Sequence, residues 1–224
     1  MTFSPKLNIL PAPQRAVWRE LKVTPKQFVL YGGTALALRL GHRVSEDFDF
    51  FANASFKPQN LLERISYLRD AKVTVLRENT LTCVVDRNGP VPVSFFGGLG
   101  LNRASNPDTA RDNEVMVASS LDVAGCKMAV VQKRAEAKDY RDIAALLENG
   151  ISLSKALAAA KAIYGDQFEP RTTLRALSYF ADGDLPKLPV SVQSALRSAA
   201  KGVKLDELPV LIGRRELASR GRGR

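Results

Sequence analysis

Residues 28–51 read FVLYGGTALALRLGHRVSEDFDFF, and the order of residue types in this stretch decides the fold. Phe28 to Tyr31 is an apolar, aromatic-rich run of the kind that fills a buried strand. Gly32-Gly33 stops it. Thr34 to Leu40 uses strong helix formers and ends at Gly41, a residue suited to a helix C-cap. After a polar connection, Asp47 to Phe51 alternates acid with aromatic, which is the period of a strand. The order is therefore strand, double glycine, helix, strand. On such a strand Asp47 and Asp49 share one face, while Phe48 and Phe50 point the other way into a core.

That order carries chemistry. Glycine lets the backbone approach a ligand closely, and the free N–H groups of a helix start favour phosphate. Two carboxylates held side by side in a partly buried place repel each other unless a cation neutralises them. Mg²⁺ (or Mn²⁺) prefers hard oxygen ligands and commonly arrives with a phosphate substrate. A lone Gly-Gly is an ordinary turn, and a lone Asp-x-Asp is an ordinary solvated edge. Their coincidence in one window points to a site for metal and nucleotide.

Working outward, Gln14 to Leu21 reads as a short helix behind Pro13. Pro58 to Asp70 reads as another, with Leu61, Leu62, Ile65 and Leu68 near helical spacing. Strands are expected at Lys72 to Leu76, Thr80 to Asp86 and Val91 to Phe96, the last two joined through an Asn-Gly turn at Asn88-Gly89. Gly97 to Asn113 reads as loop, before a short strand at Glu114 to Ala118. From Ser120 the period becomes helical, with breaks near Lys138, Gly150, Gly165 and Asp182 to Pro189. The expectation is an α+β protein: a mixed β-sheet flanked by helices over 1–119, a helical region over 120–208, and a basic, disordered tail over 209–224.

The chain has 224 residues, 45% hydrophobic and 25% charged, which suits a globular protein with a sizeable core. Its apolar runs are too short to span a bilayer, and the N-terminus lacks a signal-peptide pattern. Cys83 and Cys126 have neither metal nor disulfide spacing, so a reducing cytoplasm is expected. The net charge of +10 invites a nucleic-acid partner. Five arginines and one glutamate fall in the last eleven residues, so much of that charge belongs to the tail.

The double glycine, thirteen residues, then Asp-x-Asp resembles the first signature of the DNA polymerase β-like nucleotidyltransferases. The fuller string GGTALAL…GHRVSEDFDFF resembles the AbiEii/AbiGii toxin-type nucleotidyltransferases of bacterial type IV toxin–antitoxin systems. The resemblance implies a nucleotidyltransferase fold and transfer of a nucleoside monophosphate from an NTP to a hydroxyl acceptor (an EC 2.7.7 type of reaction). It implies phosphate contact by Gly32, Gly33 and the adjoining Thr34, and catalytic metal on Asp47 and Asp49. Arg43 and Ser45 match an Arg-x-Ser-x-Asp stretch that steadies the loop or touches phosphate. A second block, residues 121–147, LDVAGCKMAVVQKRAEAKDYRDIAALL, resembles the family's second conserved region. It implies nucleotide contact by Lys127 and a supporting role for Asp139 and Asp142. Residue spacing alone would let Lys127, Arg134 and Lys138 share one helical face, a cationic stripe suited to a triphosphate; a solvated charged face fits the same spacing. An RNA or tRNA acceptor and a separately encoded antitoxin are implied as partners, with no membrane.

One position departs from the pattern. Superfamily enzymes place a third carboxylate on a later strand, and here the matching strand carries Ser94. Asp86 is an alternative acid, equally well explained as a turn residue beside Arg87-Asn88-Gly89. His42 titrates in a useful range but fits a structural loop role, and Trp18 fits the core. Three readings stay open: an active transferase, a catalytically impaired nucleotide-binding relative, and a basic RNA-binding or adaptor protein without nucleotide chemistry.

Overall fold

The structure is a computed structural model that describes residues 1–218. The expected tail falls outside the described residues from 219 onward. Its beginning does not. Arg103 and Arg214 exchange backbone hydrogen bonds of 2.8 Å each way, Leu217 is buried, and its N–H donates to Asn53 Oδ1 at 2.6 Å. Apolar Leu211, half-buried, and Leu217, fully buried, give this segment something to bury; the charge count alone hid them.

The chain forms two units: residues 1–101, 106–119 and 215 onward make the first, and 102–105 with 120–214 the second. The first unit holds β1 (Thr2–Phe3), α1 (Ala12–Glu20), β2 (Val29–Tyr31), α2 (Gly32–Leu40), β3 (Phe48–Phe51) and α3 (Pro58–Arg64). It continues with β4 (Lys72–Arg77), β5 (Thr80–Asp86), β6 (Pro90–Phe96), β7 (Asp108–Ala110) and β8 (Met116–Val117). The eight strands make one sheet in the order β1-β7-β8-β2-β3-β6-β5-β4. It is mixed: β3 runs parallel to β6 and β2 parallel to β8, while β2 and β3 are antiparallel.

Alternation sorts the central strands into two faces. Leu30, Phe48, Phe50, Leu81, Cys83, Val91, Val93 and Phe95 are all buried on one of them. Phe50 stacks on Phe95 at 5.1 Å, Phe28 meets Phe95 edge-on at 5.1 Å, and Trp18 of α1 stacks over Phe48 at 6.1 Å. Trp18 keeps its indole N–H satisfied by donating to Asp112 Oδ2 at 2.7 Å. Each such ring contributes roughly 2–3 kcal/mol by burial. The other face carries Tyr31, Asp49, Ser94 and Thr82 in one row across β2, β3, β6 and β5.

Several expected elements need correction. The helix from Pro58 stops at Arg64, because Ile65 is extended (φ −93°, ψ 113°), and a 3-10 turn follows at Ser66–Leu68. This break lets Ile65, Tyr67 and Leu68 all be buried, which one straight helical face does not allow. The expected loop 97–113 contains β7, a three-residue strand too short to show a period. Arg39, in the last turn of α2, braces this side of the sheet. It donates to the carbonyls of Ala118 (3.0 Å) and Val117 (3.1 Å) and pairs with Asp108 at 2.9 Å.

The second unit holds α4 (Ser120–Val130), α5 (Ala137–Glu148), α6 (Leu153–Tyr164), α7 (Pro170–Ala176) and α8 (Val190–Lys201). α4 and α6 meet closely where Gly125 faces the alanine run of α6. A Cβ there would lie 2.9 Å from Ala160 N and 3.0 Å from the Ala159 carbonyl carbon. No single helix among the described residues is long and apolar enough to cross a membrane.

Candidate nucleotide and metal site

At the end of β2 the chain turns directly into α2 at Gly32, whose φ of +74° lies in the left-handed region that side chains disfavour. A Cβ on Gly32 would come 3.0 Å from Asp49 Oδ2. A Cβ on Gly33 would collide with the Arg43 guanidinium and lie 2.9 Å from Ser45 Oγ. The two glycines thus let Asp49, Arg43 and Ser45 approach the turn more closely than any side chain would allow. α2 ends as expected at Gly41, left-handed at φ +68°.

Register places Asp49 of β3 beside Tyr31 of β2 on one side and Ser94 of β6 on the other. Asp47 lies just before β3, exposed, while Asp49 is half-buried and Phe48 and Phe50 are fully buried. Thr34 and Ser45 are both buried and both aimed at Asp47. The Thr34 hydroxyl donates to the Asp47 carbonyl and lies 3.5 Å from Oδ1; Ser45 Oγ lies 3.4 Å from the same carboxylate oxygen. Arg43 donates from Nη1 to the Val44 carbonyl at 2.9 Å, which curls its guanidinium back over the glycine turn. Gln14 of α1 reaches the Asp47 carbonyl at 3.4 Å. Sequence spacing gave no sign of Gln14, which lies 33 residues away and enters only through the fold.

The donor set suits a hard divalent cation: two carboxylates two residues apart on a strand start, with hydroxyls beside them and no sulfur or imidazole among these contacts. The third-acid position is occupied by Ser94, buried and in register with Asp49. Asp86 does not substitute. It is exposed, accepts the Gly89 N–H at 3.1 Å, and lies four residues along β5 from Thr82, the residue paired with Ser94. That is roughly 13 Å along a strand. His42 sits half-buried in the connection after α2.

The second block builds a separate cluster within the helical unit. α4 ends at Val130, so Lys127, Arg134 and Lys138 do not share a helix face; Arg134 lies in the connection and Lys138 in α5. The expected cationic stripe is instead an ion-pair network. Lys127 is buried, 2.7 Å from Asp139 and 2.5 Å from Asp142, both fully buried. Arg134 adds a two-pronged contact to Asp139 at 2.8 and 3.2 Å. Burial works to raise the Asp139 carboxyl, but the Arg134 hydrogen bond and the Lys127 charge outweigh it and hold it below the usual carboxylate value. Deeper in this unit Asp122 accepts the N–H groups of Ala104 and Ser105 at 2.9 and 2.8 Å. Burial pushes the Cys126 thiol up to about 12, so it stays protonated at neutral pH.

Residues 17–101 match the model of a family described as "Nucleotidyl transferase AbiEii toxin, Type IV TA system". The chain is 29% identical over 158 residues to an uncharacterized protein of Aquifex aeolicus (strain VF5), covering 69% of this chain and 74% of that one. Among solved structures, the nucleotidyltransferase toxin MenT4 of Mycobacterium tuberculosis H37Rv aligns with a TM-score of 0.58 at 15% identity, over 86% of this chain and 84% of that one. A candidate nucleotidyltransferase of H. pylori aligns with a TM-score of 0.55 at 19% identity, over 84% and 89%. An antigenic nucleotidyltransferase-like protein of Paracoccidioides brasiliensis aligns with a TM-score of 0.51 at 17% identity, over 81% and 87%. The glycine turn and the Asp-x-Asp strand both lie within the segment that is similar to the AbiEii model, and the chain has the nucleotidyltransferase fold.

Proposed function

We propose that this protein transfers a nucleoside monophosphate from an NTP to a hydroxyl of an RNA acceptor such as tRNA, and that it acts as the toxin of a pair with a cognate antitoxin. The observation that carries the reading is the Gly32-Gly33 turn, approached closely by Asp49, Arg43 and Ser45, with Ser45 beside the Asp47 carboxylate. Bound Mg²⁺ or Mn²⁺ on the two aspartates would supply charge neutralisation for the triphosphate. Gly32, Gly33 and Thr34 present the turn and helix start to phosphate. Thr34 and Ser45 hold Asp47 in place, and Arg43 lies over the same turn as a cationic contact for phosphate. In the transfer, the acceptor oxygen bonds to the α-phosphorus, the α–β bridging bond breaks, and pyrophosphate leaves. Lys127 and Arg134, with Asp139 and Asp142, lie in the block that resembles the family's second region. The buried ion pairs that hold them support a structural and positioning role at least as strongly as nucleotide contact.

Ser94 favours a second reading, a relative that binds nucleotide and has lost transfer. A serine beside Asp49 cannot take the acceptor proton as a carboxylate does. Total RNA incubated with each labelled NTP in turn separates the two: label on RNA, lost in Asp47→Asn/Asp49→Asn, supports transfer. Stabilisation by NTP and Mg²⁺ without label supports the binding relative. Label that survives the double substitution overturns the site.

A further inference from the structure

A cavity of about 880 Å³ opens in the first unit, away from the glycine turn. Its walls are α3 with the loop before it, the end of β4 with the turn that follows, and the segment ahead of β2. Gln27 lines it, while Gly32 follows the other end of β2. Five residues of near-extended chain separate the two places, on the order of 15 Å.

Three cations border this cavity from three different segments: Lys57 from the loop, Arg64 from the last turn of α3, and Arg77 from the end of β4. All three are exposed. Among the described residues none of them enters an ion pair, although Glu78 lies in the same lining. Amide side chains, Gln27 and Asn60 among them, add hydrogen-bonding groups.

The remaining wall is apolar and braced. Phe56 is half-buried, its ring edge-on to Phe28 at 5.2 Å, and a Cβ on Gly97 would come within 2.5 Å of it. Asn79, left-handed at φ +59°, ties the walls together. Its Oδ1 accepts the Phe56 N–H at 2.8 Å, and its carbonyl accepts the Gly97 N–H at 2.8 Å. Leu76, 43% exposed, belongs to the same lining. Three cations against the single Glu78 carboxylate, amides, and a fixed aromatic wall with an exposed aliphatic one are the features that recognise an unpaired nucleotide: phosphate to the cations, base to the apolar wall.

We propose that this cavity binds a nucleotide unit bearing phosphate, at a site separate from Asp47 and Asp49. The inference rests on the cavity alone and does not require the transfer reaction. Two sources share this chemistry, a free mononucleotide and an unpaired residue within an RNA strand. The test uses the full chain and a labelled single strand of about ten nucleotides, read by fluorescence anisotropy across a salt series. Arg64→Glu/Arg77→Glu should weaken binding at least about tenfold and flatten the slope of log affinity against log salt by about 1.4, while Asp47→Asn/Asp49→Asn binds as the parent does. An abasic strand of equal length should bind clearly more weakly than the base-bearing strand, and Leu76→Asp should narrow that gap. Competition by a nucleoside monophosphate at millimolar concentration identifies the free nucleotide as a ligand; binding by the strand alone identifies RNA. Either supports the site. Unchanged affinity and salt slope in Arg64→Glu/Arg77→Glu, or equal binding of the abasic strand, overturns it. RNA labelling that survives Asp47→Asn/Asp49→Asn fails the catalytic reading alone, whereas unchanged strand binding in Arg64→Glu/Arg77→Glu fails this one alone.

Discussion

A methyl group added at Gly32 would sit on a left-handed backbone and 3.0 Å from Asp49 Oδ2. Gly32→Ala should therefore cost about 1–2 kcal/mol of stability, seen as a lower Tm even without nucleotide. Gly33 has no such backbone demand, and its obstacle is the movable end of Arg43. Gly33→Ala should leave the nucleotide-free stability within about 1 kcal/mol of the parent while weakening the Tm shift on adding NTP and Mg²⁺. Ser94→Asp is the informative gain. It sets a third carboxylate beside Asp49, so it should destabilise the protein without metal and increase stabilisation by Mg²⁺ over the parent. A variant insensitive to Mg²⁺ would mean that Ser94 does not border the metal position. The backbone turn at Gly32 and the strand position of Asp49 were legible in the sequence, because one needs a left-handed backbone and the other follows a strand period. Gln14 was not, since its contact to Asp47 depends on where α1 comes to rest.

At the scale of elements, the second block shows what spacing leaves undecided. Seven and four residues between Lys127, Arg134 and Lys138 suit one helix face, but the end of α4 at Val130 intervenes. Nothing in the local composition marks that stop. The acids in the same block decide where the cations go: two fully buried carboxylates require positive partners, and Lys127 and Arg134 are nearest. Lys127→Met should destabilise the protein by about 3–5 kcal/mol near neutral pH, because it removes the buried positive charge that Asp139 and Asp142 share. The pH dependence follows from the lowered Asp139 value. Its contribution is complete above the ordinary aspartate pKa of about 3.9 and disappears as pH falls through the lower folded value. The parent should thus lose stability on acidification below about pH 4, and the gap to Lys127→Met should narrow there, read by denaturant melts across pH. Gly125 belongs to the same scale. Gly125→Val would press against the backbone of Ala159 and Ala160, which has no rotamer to yield, and should cost about 2–3 kcal/mol in the same melts. The long strands β5 and β6 were legible almost to the residue; β1 and β7 were not, because two or three residues carry no period.

Over the whole chain, the change from mixed to helical character near Ser119 could be read from the shift in hydrophobic period. The detour of residues 102–105 into the helical unit, and the return of the chain to the sheet unit after Arg214, could not. Both depend on pairings between residues more than a hundred positions apart, such as Arg103 with Arg214 and Asn53 with Leu217. The last of these has a consequence for how the protein is made. Asn53 leaves a ribosome 164 residues ahead of Leu217, which occupies its amide oxygen and fills a buried place beside it. The sheet that carries the glycine turn and Asp49 is thus sealed only after residue 217 has been made, which ties completion of the sheet unit to an intact segment around Leu217.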